Sequence, residues 1–212
     1  MPKLKPEEVE QRRREIIGAA RRCFLRRGFH QATTDDICRE AAITPGGLYH
    51  YFRSKEDVIK AVVQDSADQA VRDVTSIAQE SPGPRSALQR LGALLAQTVQ
   101  SPEFLDNARL DVEIWSESLR SEDLSKILAT GRAALHDALA EIIHDAVRTG
   151  EYSDTVDPAG LADLLMGVNT GLEVNKLLAP RSTNPPSAMD ALAILIRGEL
   201  LASNTARRHL TQ

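Results

Sequence analysis

The sequence has little of what secreted, membrane-spanning or disulfide-bonded proteins need. Two cysteines occur in 212 residues, Cys23 and Cys38, with no C-x-x-C spacing, so neither a zinc site nor a disulfide framework is indicated, and we expect two small buried thiols. No segment approaches the roughly 18 apolar residues of a membrane span, and none has the basic and apolar regions of a signal peptide. We therefore expect a cytoplasmic protein without a membrane partner.

Signatures of catalysis and of cofactor binding are also missing. The sequence contains no G-x-x-x-x-G-K-[ST], G-x-S-x-G or H-E-x-x-H motif, which would mark a phosphate loop, a nucleophilic serine or a zinc protease. His136 and His144 would lie about 80° apart around a helix, which is a poor arrangement for two ligands of one metal ion. We expect no enzyme activity, no cofactor and no metal.

The charge of the chain is unevenly distributed. Residues 1–60 carry 13 lysines and arginines against 9 acidic residues, whereas the remainder carries 13 against 21. A basic segment on an otherwise acidic chain favours a local contact with a polyanion, although an excess of this size also fits an ordinary solvated surface.

Apolar residues recur with a helical period along almost the whole chain, and no strand-like alternation is sustained. This pattern predicts an all-α fold of about nine helices. The first helix has an inward stripe at Ile16, Ala20, Cys23 and Phe24 and is predicted to end at a left-handed Gly28.

Three helix starts follow within a short stretch. Each has a capping side chain paired with an acidic residue or with a proline in the first turn: Thr33 with Asp36, Thr44 with Pro45, and Ser54 with Asp57. They leave room for two short helices and a tight turn, which is a helix-turn-helix. The fourth helix is predicted over about 54–81, roughly 40 Å long, before the break Ser81-Pro82-Gly83-Pro84. Later helices are predicted over about 85–100, 102–119, 121–150, 158–178 and 188–202.

The segment from Ala32 to Glu56 closely resembles the DNA-binding signature of the TetR family of transcriptional regulators. The matching residues are Gly46, Leu48, Tyr49, Phe52 and Lys55. Cys38 stands where this family usually has alanine, and Ala42 where the turn usually has glycine, which costs about 1 kcal/mol if that position is left-handed. The resemblance implies a helix-turn-helix DNA-binding domain over 1–53 and a ligand-binding and dimerisation domain over 54–212, connected by the fourth helix.

Helix geometry assigns roles within this motif. Leu48 and Phe52 are expected in the core, while the opposite face is free to enter the major groove. The third helix carries no Arg, Asn or Gln, so base readout is expected from aromatic and apolar contacts, with a contribution from DNA shape. Thr33, Thr34 and Lys55 are expected to contact phosphates. The full set of candidate DNA-binding residues is Thr33, Thr34, Thr44, Pro45, Gly46, Gly47, Tyr49, His50, Tyr51 and Lys55. Tyr51 and Tyr49 could instead be core aromatics, and His50 and Lys55 ordinary surface residues.

The resemblance also implies an effector pocket among the fifth to eighth helices and a dimer formed by the last two helices. Candidate ligand-binding residues are Phe104, Arg109, Glu113, Trp115, Met166, Asn169 and Glu173, although Trp and Met at helical spacing are often plain core. Gly167 and Gly171 would permit close helix approach, either across a dimer or within one subunit.

These features together predict a ligand-responsive regulator, most simply a repressor that a small molecule releases from DNA. One short reading helix covers few base pairs, so we expect a homodimer on palindromic double-stranded operator DNA. The acidic C-terminal part favours a cationic or a neutral apolar effector. The alternative is a DNA-bound protein whose C-terminal domain docks a protein partner.

Overall fold

The structure is a computed structural model that describes residues 5–79 and 87–196. Within these residues the chain forms nine α-helices and no strand, which confirms the all-α prediction. The helices are α1 Pro6–Gln31, α2 Thr34–Glu40, α3 Pro45–Tyr51, α4 Lys55–Gln79, α5 Ala87–Gln100, α6 Phe104–Ser118, α7 Glu122–Arg148, α8 Pro158–Leu178 and α9 Pro185–Ile196.

Helix α1 is kinked at Gly28. This residue has φ 73° and ψ 166°, a conformation that is accessible essentially to glycine alone. It is not the left-handed helical cap that the sequence predicted, because its ψ is extended and the chain resumes one further helical turn to Gln31. The kink turns the end of α1 toward α2.

The predicted caps of α2 and α3 are confirmed. The Thr33 hydroxyl accepts a hydrogen bond from the Asp36 amide, and the Asp36 carboxylate accepts one from the Thr33 amide, while the Thr44 hydroxyl accepts from the Gly47 amide at 3.2 Å. At α4 only half of the predicted capping box forms. The Ser54 hydroxyl accepts from the Asp57 amide, but the Asp57 carboxylate accepts from the Arg53 amide.

Two later boundaries differ from prediction. Helix α6 begins at Phe104 rather than at Pro102, because the Ser101 hydroxyl and carbonyl accept from Glu103 and Phe104 and form a turn there. Helix α9 begins at Pro185 rather than near residue 188, since two prolines fit a first helical turn. The predicted break at 81–84 and the predicted end of the last helix lie outside the described residues.

The core consists of three clusters. The first joins α1–α4 to Leu110 and Ile114 of α6 and to Leu124 of α7. The second unites α4, α5, α7, α8 and α9 around Ile142 and Ile143, and the third holds Val99, Phe104 and Leu172. Because the first cluster crosses residue 53, the N-terminal unit (α1–α3) packs directly on α4 and α6, and the domain division at residue 53 stays a prediction. No described helix is long and apolar enough to cross a membrane.

Candidate nucleic-acid interface and buried acidic site

The turn between α2 and α3 contains a strained residue. Ala42 has φ 51° and is the non-glycine residue with positive φ in the described chain, so the position is left-handed as the sequence analysis allowed. This conformation costs an L-residue about 1–2 kcal/mol. The turn nevertheless keeps its shape, because the Ile43 amide donates back to the Cys38 carbonyl at 3.0 Å.

Arginines of α1 brace α2. Arg22 donates to Glu40 at 2.7 Å, Arg26 contacts the same carboxylate, and Arg27 lies 3.5 Å from Asp36. Hydrogen bonds from Arg22 and Arg26 lower the pKa of Glu40. Part of the basic charge of residues 1–60 is therefore used inside the N-terminal unit rather than offered to a polyanion.

The outer face of α3 is exposed. Leu48 is 1% exposed and Phe52 is buried beside it in the first cluster, as predicted. On the opposite side Tyr49 is 53% exposed, and Pro45, Gly46 and His50 are exposed as well. A seven-residue helix whose inner face is anchored and whose outer face is open has the shape that enters a major groove.

Other predicted contacts on α3 differ in exposure. A Cβ added at Gly46 would meet nothing within 4 Å, whereas one at Gly47 would meet the Thr44 hydroxyl at 3.4 Å. The protein itself therefore does not require glycine at Gly46, which is consistent with close approach by an outside molecule. Tyr51 is partly buried against the first cluster and packs edge-on against His50, so its ring is in part a core residue.

In the structure Lys55 binds backbone carbonyls rather than standing free for the expected phosphate contact. Its ammonium donates to the carbonyls of Phe29, His30 and Ala32 at 2.9, 3.3 and 3.0 Å. The end of a helix leaves carbonyls without intrahelical partners, and these three use the three protons of the ammonium. Lys55 therefore caps α1 from α4, and a phosphate contact by the same ammonium stays a prediction that this geometry disfavours.

Arg53, which the sequence analysis did not single out, lies in the turn between α3 and α4. It is exposed and forms no ion pair with any residue that the structure describes. Its position two residues before Lys55 was the feature of the sequence that could have indicated it as a candidate phosphate contact. Arg53 is thus a cation beside α3 that remains available to a phosphate.

An acidic pair, the half-buried Asp111 of α6 and the buried Glu173 of α8, lies in the C-terminal part. Glu173 is 6% exposed and accepts a hydrogen bond from Asn169 at 2.8 Å, one turn earlier on α8. Sequence reasoning found Asn169 and Glu173 but missed Asp111. The signal was its position three residues from both Ala108 and Ile114, which places it on the inward stripe of α6.

The electrostatics of the acidic pair are unusual for carboxylates. Burial raises the pKa of Glu173 to about 7, helped by the negative charge of Asp111 and opposed by Asn169 and Arg132. Burial likewise raises the pKa of Asp111 to about 6, and the positive charges of Arg21 and Arg132 oppose the rise. A bound cation would stabilise both carboxylates in their charged form.

The remaining candidate ligand residues are not brought together. Phe104 is buried in the third cluster, Trp115 packs against the first and Met166 against the second. These three side chains therefore serve three separate parts of the core in this structure.

Arg109 and Glu113 line a different space, a cleft of about 260 Å³ formed by α1, α6 and Leu177 of α8. The Phe29 amide, freed by the kink at Gly28, donates to the Glu113 carboxylate at 3.2 Å. One turn further along α6, Glu117 lies 3.1 Å from the His30 imidazole. Glu113 thus ties the C-terminal part of the chain to the N-terminal unit.

One face of α8, which we call the glycine face, has no covering element among the described residues. Leu164 and Leu178 are 54% and 80% exposed, and a Cβ added at Gly167 or Gly171 would meet nothing within 4 Å. On α9, Ile194 and Leu195 are exposed too. Among the described residues, therefore, no element of the subunit packs against these glycines.

No group of three or more potential metal ligands lies together in the described part of the chain. His136 instead contacts Asp137 at 3.3 Å and the Ala159 carbonyl at 3.3 Å. A hydrogen bond to Asp137 raises the pKa of His136.

A capped helix-turn-helix with an exposed second helix, packed on a larger helical domain, defines a DNA-binding protein of the helix-turn-helix class. Residues 16–62 match the family described as bacterial regulatory proteins, tetR family, and residues 85–201 match the C-terminal domain of the BetI-type transcriptional repressors. The chain belongs to the tetR family of transcriptional regulators, with a BetI-type C-terminal domain.

Individual relatives agree with this assignment. The HTH-type transcriptional regulator UidR of Escherichia coli K12 is 28% identical over 92% of this chain and 96% of its own length. The regulator BetI of Brucella canis is 25% identical over 96% of this chain and 100% of its own. A solved structure of Salmonella enterica GusR superposes with a TM-score of 0.72 at 25% identity, covering 93% of this chain and 97% of that one.

A second solved structure carries a ligand. It is a transcriptional regulator from Saccharomonospora viridis in complex with choline, with a TM-score of 0.75, 21% identity, and coverage of 92% of this chain and 100% of that one. At this identity the likeness shows a shared fold.

Proposed function

We propose that this regulator is a repressor that binds palindromic operator DNA as a homodimer and is released by a small organic cation bound in its C-terminal domain. The exposed outer face of α3, with Tyr49 and Gly46 at its centre, carries the DNA-binding half of the proposal. The acidic pair carries the effector half.

The two-fold arrangement is supported by the glycine face. Leu164, Gly167, Gly171 and Leu178 form one stripe of α8 that the described part of the subunit leaves uncovered, beside exposed residues of α9. Two such pairs of helices can pack as four helices around a two-fold axis, since the glycines allow the backbones to approach closely. The dimer would present two α3 helices to successive major grooves.

The DNA-binding half is tested by selecting duplexes from a random pool with the wild-type protein. We expect an inverted repeat with half-sites about one DNA turn apart. Tyr49→Ala should lose affinity for the selected duplex more than for unrelated DNA, and Tyr49→Phe separates the hydroxyl from the ring. A pool that yields no repeat, or equal losses on both kinds of DNA, would contradict the proposal.

The effector half rests on charge. Two carboxylates that are costly to bury gain stability from a cation placed between them, and a structural relative was crystallised with choline. We expect choline or another quaternary ammonium ion to raise the Tm of the wild-type protein. Glu173→Gln should weaken that shift, whereas Glu141→Gln, an exposed glutamate on α7, should not. A protein that only docks another protein would show no shift with any cation.

Release requires the two DNA-reading helices to move. Helix α4 has 25 residues, about 37 Å, and begins close behind α3. A tilt of about 5° moves the end of such a rod by about 3 Å, which is close to one base-pair rise. A small movement around the acidic pair can therefore prevent the two α3 helices of the dimer from fitting into successive major grooves.

A further inference from the structure

We propose that Arg21 of the N-terminal unit is a resident cation with which the effector competes for Asp111, and that this competition couples effector binding to DNA binding. The inference rests on the proposed function, whose cationic effector it takes as given. It assigns the coupling to one side chain of α1.

The first support is where the Arg21 guanidinium lies. One of its nitrogens donates to the Ser66 hydroxyl on α4 at 3.0 Å, and another donates to the Asn107 side-chain carbonyl on α6. A single side chain of α1 therefore ties the N-terminal unit to the two helices that connect it to the rest of the molecule. The planar guanidinium can hold both partners because its donors point in fixed, divergent directions.

The second support is the position of Asn107 relative to the acidic pair. Asn107 and Asp111 are one turn apart on the same side of α6, so the guanidinium that bonds to Asn107 lies beside Asp111. Its positive charge is one of the two that lower the pKa of Asp111 against the effect of burial. The other charge belongs to Arg132 of α7, which also acts on Glu173.

The two arginines differ in the helices that they connect. Arg21 belongs to the N-terminal unit and bonds to α4 and α6, whereas Arg132 belongs to α7 and has no tie to the N-terminal unit among the described residues. A cation bound at Asp111 weakens the attraction between the Asp111 carboxylate and both arginines, and it also repels both guanidinium groups. Only the loss of Arg21 removes hydrogen bonds that fix α1 against α4 and α6, and a shift of α1 moves the reading helix packed on it.

The experiment compares Arg21→Gln with the matched control Arg132→Gln. Choline is the probe, and its affinity is measured by calorimetry with and without the selected duplex. In the wild-type protein we expect bound duplex to lower the affinity for choline by a factor within the usual range of about 5 to 150. Both variants remove one positive charge near Asp111, so both should bind choline roughly tenfold more tightly in the absence of DNA.

The variants should differ in coupling. In Arg132→Gln the duplex should still lower the affinity for choline by the same factor as in the wild-type protein. In Arg21→Gln the duplex should lower that affinity by less than about twofold. Arg21→Lys provides a second test, because a lysine keeps the charge near Asp111 but has one ammonium nitrogen in place of the two guanidinium nitrogens that bond to Ser66 and Asn107. It should bind choline with wild-type affinity and show reduced coupling, a combination that simple destabilisation does not produce.

Several results would overturn the inference. Coupling that persists in Arg21→Gln and Arg21→Lys, or that falls equally in Arg132→Gln, removes the special role of Arg21. Absence of binding by choline, tetramethylammonium and tetraethylammonium removes the competing cation. In either case retained binding of the selected duplex leaves the DNA-binding function standing, while loss of selective DNA binding by the wild-type protein would overturn the proposed function itself.

Discussion

At the scale of single residues, two cations beside α3 have different roles although they are two positions apart. Lys55 donates its three protons to carbonyls at the end of α1. Arg53 is exposed and lies outside the ion pairs of the described residues. The first should matter for stability and the second for DNA affinity.

Lys55→Met should therefore lower the free energy of unfolding by about 2 to 3 kcal/mol, because it leaves carbonyls without a charged donor. Denaturant titration measures this. The salt dependence of DNA binding should stay at its wild-type slope, whereas Arg53→Gln should reduce the slope by about one, as one lost phosphate contact does. A reduced slope in Lys55→Met with unchanged stability would restore the phosphate contact to Lys55.

Ala42 offers a second test at this scale. Since its φ of 51° is left-handed, Ala42→Gly should stabilise the protein by about 0.5 to 1 kcal/mol, the strain relieved less the added entropy of the unfolded chain. Ala41→Gly is the matched control, because Ala41 has φ −85° and should lose stability from the same substitution. Equal effects of the two substitutions on Tm would show that the turn is not strained.

At the scale of helices, the capping pattern decides where elements begin. A polar cap followed by proline opens α3 at Thr44-Pro45 and α8 at Asp157-Pro158. The same pattern occurs at Asn184-Pro185, where the Ser187 amide donates to the Asn184 side chain at 3.3 Å. The sequence analysis placed the start of this helix near residue 188, although the cap at Asn184 was present in the sequence.

The glycine face leads to a prediction about assembly. Gly171→Leu places a bulky side chain where the subunit itself has open space, so the variant should fold with a Tm near that of the wild-type subunit. It should sediment as a monomer and lose affinity for the palindromic duplex. Gly92→Leu is the control, since Gly92 is exposed on α5 and also has nothing within 4 Å but does not belong to the glycine face. A dimer in both variants would place the interface elsewhere.

At the scale of the whole molecule, the acidic pair makes stability depend on pH. The pKa of Glu173 rises from its usual 4.5 to about 7 in the folded protein, so the folded state binds more protons than the unfolded state between these limits. Stability is then highest below about pH 4.5 for this group and falls as pH rises toward 7.

Glu173→Gln should remove this loss. Relative to wild type it should gain stability at pH 8, on the order of 3 kcal/mol for a shift of this size, and should show no gain near pH 4. Denaturant titrations at the two pH values measure the difference, with Glu141→Gln controlling for the loss of one negative charge. If the gain is the same at both pH values, the side chain is not titrating in this range.

How much the sequence predicts depends on the range of the interaction. The helix starts at Thr33, Thr44 and Asp157 follow from hydrogen bonds that reach two or three residues along the chain. The positions of Leu48 in the core and Tyr49 on the surface follow from helical period within one short helix. Such features need no knowledge of the rest of the fold.

By itself, then, the sequence determined the all-α architecture, the helix-turn-helix and the family, because local capping, periodicity and a contiguous motif encode them. Only the tertiary structure decided that Lys55 donates to carbonyls 23 to 26 residues earlier, and that Asp111 lies near enough to Arg21 and to Glu173 for their charges to act on one another. It also separated Phe104, Trp115 and Met166 into different clusters. These outcomes depend on how α1, α4, α6 and α8 pack, and side chains far apart in sequence meet only once that packing is formed.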